Sequence, residues 1–134
     1  ISDKYIIATG SVPSTIPIKG IDSPQCIDST GALSLEKCPE SMVVIGGGVI
    51  GVEMATAYSS FGTKVTIVEM LPRLLMNMDE DMTAVAVKAI EKNGAEIMTS
   101  TKVVSVDNMG KKAVVTVEKD GVKEQIEAEK CLCA

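Results

Sequence analysis

Met42-Val43-Val44-Ile45-Gly46-Gly47-Gly48-Val49-Ile50-Gly51-Val52-Glu53 is the stretch that decides the fold. Its first four residues form an uninterrupted apolar run, which suits a parallel strand buried on both faces. The glycines begin where that run stops. With Gly46, Gly48 and Gly51 spaced as G-x-G-x-x-G, each has a mechanical reason to be there. Gly46 allows a tight turn off the strand, Gly48 lets backbone approach a pyrophosphate without a Cβ in the way, and Gly51 lets a helix pack close to the sheet. Backbone amides from Gly46 through Gly47, Gly48, Val49, Ile50 and Gly51, with the positive end of the helix dipole, would then hold phosphates. A glycine turn of this kind also serves plain strand-to-helix packing, so its surroundings decide between the two.

Downstream, Ile50, Met54, Ala57, Tyr58 and Phe61 recur at helical spacing, while Gly51 and Ala55 leave a small face for close approach to a sheet. Gly62 ends that helix, and Val65-Thr66-Ile67-Val68 forms a second β-branched strand finishing at Glu69. Residues 42 to 69 therefore read as a βαβ unit with a right-handed crossover. Glu69 falls roughly 20 residues after the fingerprint, where an acidic side chain can accept hydrogen bonds from adenosine ribose hydroxyls. The bland alternative is a solvated carboxylate at a strand end. A 2′-phosphate there would face a like charge, so NAD is expected over NADP. Arg73 is the one residue that could accommodate such a phosphate.

The rest of the chain extends this plan. Tyr5-Ile6-Ile7-Ala8 is a short strand candidate, followed by a linker with Pro13, Pro17, Gly20 and Pro24. A helical turn is expected around Thr30 to Glu36. A second helix is expected from Asp79 to Asn93, with Met82, Val85, Ala86, Ala89 and Ile90 on its core face and Gly94 as its cap. Ala95 to Met98 would be a third parallel strand. Three alternating runs, Lys102 to Val106, Ala113 to Lys119 and Val122 to Ala128, then read as an antiparallel meander with turns at Asn108 to Gly110 and Asp120-Gly121. Cys131 to Ala134 is an apolar run without a closing turn signal, as a strand cut short would be. The predicted class is α/β: a Rossmann-like parallel sheet with flanking helices plus a three-stranded antiparallel β-meander.

Composition removes several function classes. The chain has 134 residues, 13 Lys plus Arg against 18 Asp plus Glu, and a net charge of −5, which offers no electrostatic footprint for nucleic acid or an anionic membrane. Its longest apolar stretch, Met42 to Met54, is broken by glycines and Glu53 and is too short for a membrane span of about 20 residues. With no His there is no imidazole base or imidazole metal ligand, so no catalytic residue and no metal site is expected. Cys26, Cys38, Cys131 and Cys133 form neither Cys-x-x-Cys pairs nor a dense disulfide framework, which fits a reducing compartment. Cys131 and Cys133 are expected on opposite faces of a strand, a poor geometry for a disulfide. Met54 and Met82 are expected on core faces, and Met70, Met76 and Met78 in a loop. Without an initiator Met, the chain reads as a piece of something longer.

These residues also carry a resemblance over nearly the whole chain. Ile7-Ala8-Thr9-Gly10-Ser11, Thr30-Gly31-Ala32-Leu33-Ser34-Leu35, Pro39, Met42 through Glu53 and Val68-Glu69 closely resemble dihydrolipoamide dehydrogenase, of the flavin-dependent pyridine nucleotide-disulfide oxidoreductases. The resemblance implies that residues 31–134 are an NAD-binding domain and residues 1–30 the end of an FAD-domain segment with its linker. It implies that the Gly46–Gly51 loop binds the NAD pyrophosphate and Glu69 the adenosine ribose. Val103 would line the adenine pocket, Glu53 would lie near the nicotinamide, and Thr9, Gly10 and Ser11 would match the family's second FAD-contacting motif. In the parent enzyme, hydride would pass between FAD and the nicotinamide held by this domain. The implied partners are NAD(H) and the parent's remaining FAD and interface domains, in a homodimer of the cytoplasm or, in a eukaryote, the mitochondrial matrix.

The chain lacks the family's amino-terminal flavin fingerprint, its redox cysteine pair and its distal His, so alone it is expected to turn nothing over. The same domain of a sister NAD(P)H-dependent flavin reductase or oxidase, or a noncatalytic dinucleotide-sensing module, are the alternatives that the residues leave open.

Overall fold

The computed structural model describes residues 2–134, so the expected 1–30 segment is seen from Ser2 onward and Ile1 lies outside the described residues. Its elements are β1 (Cys26–Ile27), α1 (Ser29–Leu33), β2 (Ser41–Ile45), α2 (Val49–Ser60), β3 (Lys64–Val68), α3 (Glu80–Lys92) and β4 (Glu96–Met98), followed by β5 (Lys102–Met109), β6 (Lys112–Lys119), β7 (Val122–Ala128) and β8 (Lys130–Cys133). Five strands form a parallel sheet in the order β1-β8-β2-β3-β4, and β5-β6-β7 form an antiparallel one. The architecture is the expected α/β sheet plus meander.

The β2 run is apolar throughout because both of its faces are covered. Met42 and Val44 pack with Val52, Ala55, Tyr58 and Ile90 on the helical side, while Val43 and Ile45 pack with Val103, Val115 and Val117 on the meander side. Each such fully buried aliphatic side chain contributes about 1.5–3 kcal/mol relative to exposure. The meander thus takes the place of helices on the second face. Its hairpins close in two residues: Gly110 at φ 77°, and Asp120 with Gly121 at φ 51° and 79°. Strand β5 therefore runs on through Asn108 and Met109, which the sequence placed in the turn.

Four further expectations need correction. Tyr5-Ile6-Ile7-Ala8 is no strand: it has no ladder partner among the described residues, and Tyr5, Ile6 and Ile7 are 77%, 94% and 88% exposed. On α3 the core stripe is Thr83, Ala86, Val87 and Ile90, while Met82 and Val85 face solvent. On α2 it is Gly51, Val52, Ala55, Tyr58 and Ser59, with Ile50 and Phe61 outside. In both helices the buried stripe is rotated by about one residue, or 100°. For α2 the close approach to the sheet requires its smallest residues underneath. Finally, Cys131 and Cys133 share one face of β8 and both pack on the meander side, with Leu132 on the other face. Residues i and i+2 of a strand point the same way.

The proline-rich linker is docked rather than free. Ile16, Ile18 and Ile21 pack against the meander-side core, and the Val106 amide donates to the Lys19 carbonyl at 2.8 Å. Gly20 is required there, since a Cβ would meet the Val106 carbonyl oxygen at 1.7 Å. No helix among the described residues is long and apolar enough to cross a membrane.

Candidate functional site

Strands β2, β3 and β4 run outward in order, and the chain then crosses through the meander to lay β8 on the other side of β2. The strand order reverses beside β2, and in open α/β sheets a ligand crevice lies beyond the carboxyl ends of strands at such a point. The glycine loop occupies that position.

Each glycine meets a different environment. Gly46 turns at φ 108° and leaves no room, since a Cβ would fall 2.4 Å from the Ala134 carbonyl oxygen. At Gly47 a Cβ would fall 2.3 Å from Leu74 Cδ2 and 3.1 Å from Glu69 Oε2. At Gly51 it would fall 2.0 Å from the Gly46 carbonyl oxygen. Gly48 alone faces open space, with nothing within 4 Å. It is also the N-cap of α2, and no side chain caps that helix. The amides of the helix's first turn have no intrahelical acceptor and carry the positive end of its dipole.

The amides of Gly46 and Gly47 are already committed inside the protein. Gly46 donates to the Val68 carbonyl at 3.0 Å and Gly47 to Glu69 Oε2 at 2.6 Å. Amides from Gly48 onward are those left for an anion.

Glu69 follows β3, half-buried, and its other carboxylate oxygen accepts from the Leu71 amide at 2.7 Å. Each oxygen retains a second acceptor position. Its own backbone is fixed on both sides: Glu69 N donates to the Met98 carbonyl at 2.9 Å, and Thr101 N donates to the Glu69 carbonyl at 2.9 Å. The second of these bonds brings the start of β5 over the strand ends. Together Ile45, Gly46, Val68, Glu69, Thr101 and Val103 line an apolar cleft of about 490 Å³, with Ile16 to Ile18 of the linker along one side. That volume is in the range of small-molecule sites, roughly 300–1,000 Å³.

The structure thus brings Gly46, Gly47, Gly48, Glu69 and Val103 to one place. Val49, Ile50 and Glu53 lie on the first turns of α2, with Glu53 exposed. Thr9, Gly10 and Ser11 are exposed and outside this cleft. Sequence reasoning missed a latch on Gly47: the Leu75 amide donates to the Gly47 carbonyl at 2.8 Å, with Leu75 at φ 50° and Leu74 buried against the loop. Leu74-Leu75 between Pro72 and Met76 was the available signal, an apolar pair inside a loop.

A protein-family profile described as pyridine nucleotide-disulphide oxidoreductase matches residues 2–134. The chain belongs to this family. It is 42% identical over 124 residues to a dihydrolipoyl dehydrogenase of Geobacillus stearothermophilus, a match covering 92% of this chain and 26% of that protein. It is 42% identical over 114 residues to the mitochondrial dihydrolipoyl dehydrogenase of Schizosaccharomyces pombe, covering 85% and 22%. Among solved structures it is similar to the HOCl-induced flavoprotein disulfide reductase RclA of Escherichia coli, with a TM-score of 0.84, 30% identity and coverage of 95% and 28%. The chain spans about a quarter of the length of these relatives.

In this chain Arg73 is already in use. Its Nη1 donates to the carbonyls of Leu75 and Met78 at 3.3 and 3.0 Å and to Thr83 Oγ1 at 3.2 Å, and Nη2 donates to the Met76 carbonyl at 3.2 Å. Glu80 stands 4.0 Å from Nε. The guanidinium therefore folds the loop that carries Leu74 and Leu75, and a 2′-phosphate would have to compete with four acceptors. Arg73→Ala is expected to lower stability by about 1–3 kcal/mol, since these are charge-assisted bonds at a partly exposed site. Urea unfolding checks this. A selective loss of NADPH relative to NADH binding would instead return Arg73 to the phosphate.

Proposed function

We propose that this chain binds NAD(H) through the glycine loop and Glu69, within a dihydrolipoyl dehydrogenase-like flavoenzyme. Residues 31–134 form the nucleotide-binding domain, and residues 1–30, with Thr9, Gly10 and Ser11, the end of the FAD-domain segment and its linker, whose Cys26–Ile27 strand joins the edge of the nucleotide-binding sheet. One observation carries the reading: at the carboxyl end of β2, Gly48 opens onto free space at an uncapped helix N-terminus, in a loop whose neighbouring amide is held by Glu69. A pyrophosphate requires that combination of backbone donors and missing Cβ.

NAD, when bound, is the hydride carrier opposite the flavin of the parent enzyme. What the chain's own residues do is bind and orient. The first-turn amides of α2 hold the phosphates, Glu69 accepts from the adenosine ribose, and Val103 with Ile45 and Val68 gives the adenine an apolar wall. Glu53, one turn into α2, lies toward the nicotinamide end. Its exposure leaves it free to meet a ligand there.

Titration with NADH and, separately, NADPH, followed by nicotinamide fluorescence, tests the reading in a chain with no Trp to obscure the signal. Saturable NADH binding is expected, with NADPH weaker by about tenfold or more, because the Glu69 carboxylate meets the 2′-phosphate. Equal binding of both would favour a sister NAD(P)H-dependent reductase. No NADH binding by a chain folded by circular dichroism would overturn the proposal.

A further inference from the structure

Away from the nucleotide cleft, at the β1 edge of the parallel sheet, three thiols stand together. Cys26 in β1 and Cys131 in β8 are register partners in adjacent parallel strands. Such partners lie about 4.8 Å apart at Cα with their side chains on one face. That spacing is within the range of roughly 4.4–6.8 Å found for disulfide-linked residues. All four cysteines are free; Cys131 is buried, Cys26 and Cys133 are half-buried, and Cys38 is exposed elsewhere.

Cys26 and Cys133 line a second cleft, of about 400 Å³, with Pro13, Ile16, Asp22 and Asp28. Ser23 Oγ donates to Cys26 Sγ at 3.3 Å. The Cys131 thiol beside it holds the Cys26 thiol below the usual range, helped by Ser23 and the Lys130 ammonium and opposed by burial and Asp22. The neighbouring Cys133 and Cys26 thiols and burial push Cys131 upward. Cys133, which the Cys131 thiol likewise holds below the usual range, is reachable from the same cleft, but only Cys26 is in cross-strand register with the buried, protonated Cys131. A reachable, readily ionised thiol poised beside a second cysteine is the arrangement of an attacking and a resolving thiol.

We propose that Cys26 and Cys131 form an oxidant-reactive dithiol, separate from the nucleotide site, which a hydroperoxide closes to a cross-strand disulfide. The Cys26 thiol gives its proton to solvent, its thiolate attacks an oxygen of the peroxide and the O–O bond breaks, giving a sulfenic acid on Cys26 and a hydroxide or alkoxide that takes up that proton and leaves as water or alcohol. Sulfur loses two electrons and the peroxide gains them. The Cys131 sulfur then attacks the Cys26 sulfur, and the S–S bond forms as the S–O bond breaks. The hydroxyl leaves with the Cys131 proton as water. Strand β1 is two residues long and lies at the sheet edge, so it can shift to bring the Cβ atoms to the disulfide separation of about 3.8 Å. Cys133 also approaches the Cys131 thiol, but it lies on the same strand, about 6.6 Å from Cys131 at Cα and so at the upper end of the disulfide range, and diagonal to Cys26 at about 7–8 Å.

Brief treatment with hydrogen peroxide followed by peptide mapping decides the matter. A Cys26–Cys131 linked peptide lacking two hydrogens is expected, formed several times faster than Cys38 oxidises. Its rate should rise with pH in a range below that of an ordinary cysteine thiol, following the Cys26 thiolate. Cys26→Ser should abolish the link, and Cys131→Ser should leave a dimedone-trappable sulfenic acid on Cys26. Cys133→Ser should leave the link intact. Oxidation of Cys38 first, a link that survives Cys26→Ser, or the same even distribution over the thiols that the urea-unfolded chain gives would each overturn the proposal.

Discussion

Substituting Val at Gly51 is expected to unfold the domain, whereas the same substitution at Gly48 leaves it folded and removes NADH binding. At Gly51 the new Cβ would stand 2.0 Å from the Gly46 carbonyl oxygen, 3.1 Å from its carbon and 3.3 Å from Val44 Cγ1. A backbone carbonyl in the turn off β2 cannot step aside as the end of a flexible side chain can. The helix must move outward, which separates Val52, Ala55 and Tyr58 from Val44 and Ile67, all members of one core. Losing even two or three such contacts, at about 1.5–3 kcal/mol each, consumes most of a domain's stability of roughly 5–15 kcal/mol. Gly48 has φ −74° and ψ −175°, a conformation open to any residue, and nothing within 4 Å of its Cβ position. Valine there should change stability by no more than about 0.5 kcal/mol. Its methyls would occupy the approach of a pyrophosphate to the α2 amides, and NADH affinity should fall by about 100-fold, roughly 2.7 kcal/mol. Urea unfolding and nicotinamide fluorescence separate the two outcomes. A folded Gly48→Val chain with unchanged NADH affinity would falsify the placement of the loop.

Residues 42 to 69 were legible because every signal there is local. An apolar run, a glycine turn, a helical period and a β-branched run each constrain their own few residues, and all four agree. The rotation of the helices was not legible. Ile50, Phe61, Met82 and Val85 are apolar yet exposed, while Thr83 is buried because its hydroxyl meets Arg73. Hydrophobicity alone cannot register that exchange. Tyr5 to Ala8 has strand composition, but a strand exists only with a hydrogen-bonded neighbour, and the described residues place none beside it. Cys26-Ile27 has two residues and no periodicity, and becomes a strand only because β8 lies alongside. In the site, the glycine spacing and the position of Glu69 could be read in advance. The bond from Gly47 to Glu69 spans 22 residues, and the contacts of Leu74 and Leu75 with Gly47 are likewise nonlocal, so no window of sequence contains them.

Glu69→Ala is expected to weaken NADH binding by about 1–3 kcal/mol and to destabilise the chain as well, because in the proposed binding mode the carboxylate has two duties. Toward the ligand it offers one free acceptor position on each oxygen, at the rim of the cleft lined by Val68 and Val103. Toward the protein it accepts the Gly47 amide at 2.6 Å and the Leu71 amide at 2.7 Å. Alanine leaves both donors without their partner in a half-buried setting, at about 1 kcal/mol or more for each. The Gly47 amide would then be free to turn toward a phosphate, which recovers part of the lost affinity. Glu69→Gln separates the duties. Its amide oxygen can keep the bond to Gly47, but its NH2 group faces the Leu71 amide donor to donor, so stability falls less than with alanine. The repulsion toward a 2′-phosphate disappears with the charge, so NADPH should gain on NADH in Glu69→Gln. Denaturant midpoints and paired NADH and NADPH titrations of both variants read the two effects independently. If both variants are destabilised but bind NADH and NADPH in the parent ratio and at the parent affinity, Glu69 is a scaffold of the glycine loop alone and the ribose lies elsewhere.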